Sequence, residues 1–287
     1  MPGKEVAARL ARARRLEAVR IRGAKGGVIA PHRSMVGQPW TLWRLTTTLV
    51  LALGGVAALA LTLPELGRLW GLIFLEARDR LFPGAPLGDQ LFTLAGIVEW
   101  SLPVLAAPTP VPDREALLVA SGVTAAVVLG TFLLPERWLP VRYLLRMAAL
   151  LQATAIGVFA LWPASFPYRL PDHVVLLLAS GLVVMGLAPL LLGLTLHVFD
   201  VGLWRKALVT LALLAHLAIF LPLKALVHAW LIVHGTAVLM PLLFLLFGLL
   251  LDVLVFVAFY GWALSWKGDL ELRDELPPVH LAGSDAP

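Results

Sequence analysis

Six runs of apolar residues, each close to the length of a bilayer crossing, constrain this chain more than any other feature: about 45–63, 116–134, 144–161, 174–199, 207–223 and 235–262. A hydrocarbon core of about 30 Å takes roughly 20 helical residues to cross. Inside it every backbone N–H and C=O must be bonded within the protein, which leaves the helix as the structure for such runs. Hydrophobic residues make up 60% of the 287 and charged residues 14%, so lipid, not water, is the solvent this surface suits. The implied fold class is all-α, a polytopic helical bundle with six transmembrane helices. The last run exceeds the minimum, and Pro241 near its start predicts a kink there.

A seventh apolar stretch, 91–107, is short, holds Glu99 and is interrupted by Pro103. Loop charge decides against it as a span, because Lys and Arg collect on the cytoplasmic side. Six spans with both termini cytoplasmic place 17 of the 23 basic residues inside, whereas seven spans reduce that to 13. Tryptophans at 40, 43, 138, 162, 204, 230, 262 and 266 stand near run ends, as indoles do at headgroup level. Trp70 and Trp100 do not, and both fall in the outer segment 64–115.

That segment is expected to lie on the membrane. Leu69, Trp70, Ile73, Phe74 and Leu81 recur at helix-like spacing, with Glu76, Arg78, Asp79 and Arg80 towards the end, which predicts an interfacial helix over 66–82. Pro83-Gly84 ends it, 91–107 is read as a second interfacial or re-entrant helix, and the proline-rich 106–113 is a stiff linker. Three regions result: a basic cytoplasmic arm over 1–44, a membrane domain over 45–266 and a cytoplasmic tail over 267–287.

The arm carries ten Lys and Arg, and 6–22 can form an amphipathic helix. Attraction to the anionic cytoplasmic leaflet, up to about 1 kcal/mol per basic residue, is its expected role. No aromatic interleaving or recognised motif points to nucleic acid. Zero cysteines exclude disulfides, a thiol nucleophile and Cys-ligated metals. Nor is there a phosphate-binding glycine loop, a dinucleotide fingerprint, HExxH or a visible inverted repeat.

Ionisable residues inside apolar runs therefore carry the functional reading, since a charge at bilayer depth costs about 2.5–3.5 kcal/mol even on the mildest scale. Asp252 and His216 are the candidates for a proton or ion relay. Counted from Trp262 and Lys206, each lies ten residues in, so the two are expected to meet at one depth. Arg169, Asp172 and His173 in one outer turn, with Lys224, His228 and His234, are candidates for an outer vestibule receiving an anionic group. His228 and His234 share a depth but stand six residues apart on different sides of a helix, so a haem is not expected, and no other cofactor or metal is.

Ser180-Gly181 near the outer end of the fourth run and His234-Gly235 at the sixth form an arrangement that resembles the serine–histidine dyad of rhomboid intramembrane proteases. The flanking residues depart from that pattern. Leu178 stands where a glycine belongs, the first outer loop lacks a Trp-Arg pair and the second run lacks a His-Asn pair.

The leading expectation is a non-catalytic subunit, anchoring or organising a complex of the bacterial inner membrane with protein partners and lipids around it. A small proton- or ion-coupled transporter module using Asp252 and His216 is the alternative, and a rhomboid-like protease using Ser180 and His234 the remote one. The reading leans away from an enzyme.

Overall fold

The computed structural model describes residues 41–94, 98–166, 168–196 and 202–265. The chain divides into two compact units, Met1–Leu45 and Thr46–Pro287, and the membrane bundle is built by the second. The arm through residue 40 with its helix at 6–22, His197 and the tail 267–287 lie outside the described residues.

Six helices are long and apolar enough to cross a membrane, and the protein is an integral membrane protein. They are α1 (Leu42–Leu81), α2 (Arg114–Leu133), α3 (Leu139–Leu161), α4 (Leu170–Leu196), α5 (Leu203–His234) and a composite sixth span. The sixth starts as a 3₁₀ turn (Ala237–Leu239), passes through one α-helical turn (Met240–Leu242), widens into a π-helix (Leu243–Leu250) and ends as α6 (Leu251–Ser265). A π-helix is rare, and it recurs at functional sites.

The outer segment departs from expectation twice. The helix predicted over 66–82 is not separate: it continues the first span without a break, through Pro64, in a single helix of 40 residues. At 1.5 Å per residue α1 is about 60 Å long, twice the hydrocarbon thickness. The stretch 91–107 is not a helix either. It supplies β2 (Val98–Leu105), which pairs antiparallel with β1 (Leu87–Leu94). Trp100 and Leu102 on one face are buried while Ser101 on the other is exposed, and from Pro103 to Leu105 the second face is covered as well. Pro103 is tolerated because a two-stranded ribbon leaves each strand a free edge.

Lipid offers no hydrophobic force to drive helices together, so close contact through small residues holds the bundle. A Cβ on Gly193 would stand 2.9 Å from the Ala52 Cβ, and one on Gly55 would strike the Pro189 ring, which fixes α1 on α4. Gly181 lies under Leu221 of α5, and a Cβ on Gly248 would come 2.7 Å from Leu177 Cδ2. Thus α4 is the central helix, touched by α1, α5 and the sixth span. At the other extreme α2 has only Thr131 buried and packs chiefly on α3. There the Arg146 Nε donates to Thr131 Oγ1 at 3.1 Å, with the guanidinium over the Phe132 ring.

Candidate functional site

The sixth span runs antiparallel to α5, and two contacts fix the register. The His216 and Phe259 ring centroids are 5.5 Å apart. Eight residues further along α5, the Lys224 Nζ lies 2.5 Å from Asp252 Oδ1, seven residues earlier on the sixth span. The pair is enclosed: the Lys224 side chain is 3% exposed and that of Asp252 0%. Burying two charges is costly enough that the attraction between them offsets it only with good geometry and further hydrogen bonds. Lys224 has one, from Nζ to the Gly248 carbonyl at 3.3 Å, and its ammonium also stands 5.8 Å from the Phe220 ring centroid. Asp252 Oδ2, by contrast, is buried with no hydrogen-bond partner among the described residues.

The π-helix makes this arrangement local. Gly248 accepts from the Leu251 N–H within the helix and still offers its carbonyl to Lys224. Having no side chain, it also lets α4 close over the same spot. Asp252 follows one turn later, so the ammonium faces two acceptors stacked on one helix.

His228 is one turn along α5 from Lys224, on the same face. Its Nδ1 is 3.4 Å from the Nε2 of His173, the fourth residue of α4. Both rings are buried, and the Phe244 ring of the π-helix meets His173 edge-on at 6.1 Å. Two imidazole nitrogens at this separation share one proton, one ring donating and the other accepting. Buried polar groups from three spans thus form one file, His173, His228, Lys224 and Asp252.

The file does not continue to the far end of α5. Val209, Leu213, Leu217 and Leu221 are fully buried along that stretch, and the hydroxyl of buried Thr210 donates to its own helix at Lys206 O. Towards the hairpin the surroundings are charged. The Trp70 Nε1 donates to the Ala218 carbonyl at 2.8 Å, which sets the second half of α1 beside α5 from Ala218 onwards. That half of α1 carries the exposed ion pairs Glu65–Arg68 and Glu76–Arg80, and Arg78–Asp79 with its arginine half-buried.

Several sequence-predicted sites are placed differently from expectation. His216 does not meet Asp252: it is exposed and stacks on Phe220 and Phe259, about 12 Å along α5 from Lys224. The depth markers failed because Lys206 and Trp262 are not at one level. The His216–Phe259 contact puts Trp262 beside about residue 213. Lys224, expected at the outer boundary, is inside α5, which runs on to His234. The vestibule is therefore not assembled as expected. Of its six residues, His173 and His228 meet, Lys224 turns to Asp252, Arg169 stays exposed and Asp172 half-buried, the Asp172 carboxylate accepting from the Arg169 N–H at the start of α4.

His234 closes α5 and is exposed, its Nδ1 donating to the Trp230 carbonyl at 2.9 Å. The Ser180 hydroxyl donates to Leu177 O on its own helix, so these two side chains form no dyad. His234 instead borders a cleft of about 700 Å³ between α2, α3 and the sixth span, with Asp113, Glu115 and Thr236 around it and Gln152 deeper in. No group of three or more His, Cys, Asp or Glu suited to a metal ion occurs among the described residues. No family model, curated protein or solved structure matches this chain.

Proposed function

We propose that this integral membrane protein is a small proton- or ion-coupled transporter module whose working site is the Lys224–Asp252 pair. The observation that carries the reading is a fully enclosed carboxylate with one oxygen on an ammonium and the other unpartnered among the described residues. A bundle that only anchors other proteins gains little from it, because replacing a buried ion pair by apolar residues is often neutral or stabilising. A coupled carrier needs it. A carboxylate that takes up a proton or cation loses its hold on Lys224, and the Gly248 carbonyl is already within reach of the released ammonium. Two arrangements of one side chain on one helix are the kind of bistable element that a binding event can bias. The apolar layer from Leu221 to Val209 supports the same reading, since a carrier must be closed on one side while open on the other.

Reconstitution of the full chain into liposomes, with a pH-sensitive dye inside and an imposed gradient, tests this. Wild-type protein is expected to move protons or a coupled cation, and Asp252→Asn and Asp252→Leu are both expected to assemble and to be inactive. Normal activity in Asp252→Asn would overturn it.

Anchoring of an envelope complex stands as a second reading, favoured by one feature. The β1 strand is exposed along Gly88–Leu91 apart from its partner β2, a free edge on which an extended segment of another protein can add.

A further inference from the structure

Resting on the transporter reading, we propose that the coupling ion is the proton and that the His173–His228 pair is where it is taken up, from the hairpin end alone. Four observations meet on this pair. It stands between water and the working site: His173 is the fourth residue of α4, next to half-buried Asp172 and close to exposed Arg169, while His228 is one turn from Lys224. Its rings are buried and meet nitrogen to nitrogen at 3.4 Å, a long hydrogen bond that a small ring movement shortens to transfer distance and that is too short for an ion between them. Oxygen ligands are few, namely the Asp252 carboxylate, the Gly248 carbonyl and the Phe247 carbonyl bonded to His228, and Lys224 already occupies Asp252 Oδ1 and the Gly248 carbonyl. Hard cations such as Ca²⁺ and Mg²⁺ take about six or more oxygens. Finally, no comparable file leads the other way among the described residues, where Leu217, Leu213 and Val209 are fully buried.

The transfer conserves one proton. It arrives at His173 Nδ1, the proton on His173 Nε2 crosses to His228 Nδ1, and the proton on His228 Nε2 passes by way of water to the Lys224–Asp252 pair one helical turn away, ending on the Asp252 carboxylate. That carboxylate becomes neutral and releases Lys224 to Gly248. Each ring is left as its other neutral tautomer and returns by rotation or by the reverse exchange. The groups around the relay are Asp172 and Arg169 on α4, Lys224 on α5, Asp252 on the sixth span and the Phe244 edge.

The experiment uses full-length protein in liposomes, with sidedness fixed by impermeant labelling of Val111→Cys beside the hairpin. Glutamine keeps a hydrogen bond at either position but cannot relay, so His173→Gln and His228→Gln are expected to slow proton uptake from the hairpin side about 100-fold. Replacing external sodium by choline is expected to change nothing. The folded state is checked by elution as a single species and by an unchanged melting temperature. If both glutamine variants keep the wild-type rate while Asp252→Asn stops transport, the relay is overturned and the working site stands. If Asp252→Asn is also without effect, the transporter reading falls with it. Dependence on sodium would overturn the proton assignment.

Discussion

Lys224 faces two acceptors one turn apart on the sixth span, the Gly248 carbonyl at 3.3 Å and the Asp252 carboxylate at 2.5 Å. The two members of the pair are therefore not equivalent. Removing the carboxylate in Asp252→Asn leaves the ammonium with a carbonyl and an amide oxygen. Removing the ammonium in Lys224→Met strands a buried carboxylate without a countercharge. Lys224→Met is expected to lose about 3–5 kcal/mol and Asp252→Asn clearly less. The double variant Lys224→Met/Asp252→Leu is expected to return close to wild-type stability while remaining inactive. Thermal unfolding in detergent of these three and of Asp252→Leu, with Lys224→Met, Asp252→Leu and their double compared as a double-mutant cycle, checks this.

Gln152 is another polar group enclosed by the bundle. It is 7% exposed, and its carboxamide oxygen has no hydrogen-bond partner among the described residues. Leaving such a group unsatisfied costs about 1–3 kcal/mol. Gln152→Leu is expected to raise the melting temperature, and a lower one would mean that the amide is bonded in the membrane.

Periodicity and charge report some features of this chain and are blind to others. The apolar runs locate all six spans, because length and hydropathy are properties of a segment by itself. Asp252 stands out for the same reason. Its partner does not, because Lys224 follows Pro222 at the end of an apolar run and looks like a loop residue. Only the continuation of α5 to His234 puts it inside. The signal was present in Lys224 and His228, four residues apart on one helical face. The hairpin was hidden for a different reason. Trp100 and Leu102 share an inward face, but Pro103 and Leu105 on the opposite face are buried too, so the two-residue alternation is lost and length and apolarity fit a short helix equally well. The unbroken course of α1 depends on tertiary contacts, including Trp70 on Ala218 and Trp100 on Trp70, that no local pattern reports.

Adjacent glycines in α1 separate packing from backbone effects. A Cβ on Gly54 meets nothing within 4 Å, whereas one on Gly55 runs into the Pro189 ring, which cannot rotate away. Gly54→Ala is expected to be neutral or to stabilise by up to about 1 kcal/mol through the reduced freedom of the unfolded chain. Gly55→Ala is expected to lose about 1–3 kcal/mol by forcing α1 away from α4. Equal effects of the two substitutions on unfolding would mean that α1 does not pack on α4 at this level.

Orientation is the last expectation. With Lys224 inside α5, the hairpin side holds Arg68, Arg78 and Arg80 on the second half of α1, Arg114 at the start of α2 and Arg169, against 17 basic residues towards the side of the termini, of which Arg44, Arg142, Arg146, Arg205 and Lys206 stand within helices near their ends. The bias keeps the sign of the loop reading, and by the positive-inside rule the hairpin is expected outside and both termini in the cytoplasm. Arg68 and Arg80 are each paired with a glutamate, and Arg78 with Asp79, so the charge on the hairpin side is lower still. In intact cells an impermeant maleimide is expected to label Val111→Cys, whose site is 71% exposed, and to leave a cysteine placed after Pro287 unlabelled until the membrane is permeabilised. Labelling of both positions in sealed cells would require an even number of crossings between them and would remove the six-span topology. Labelling only of the position after Pro287 would keep the six spans and invert them, and proton uptake through His173 would then start from the cytoplasmic side.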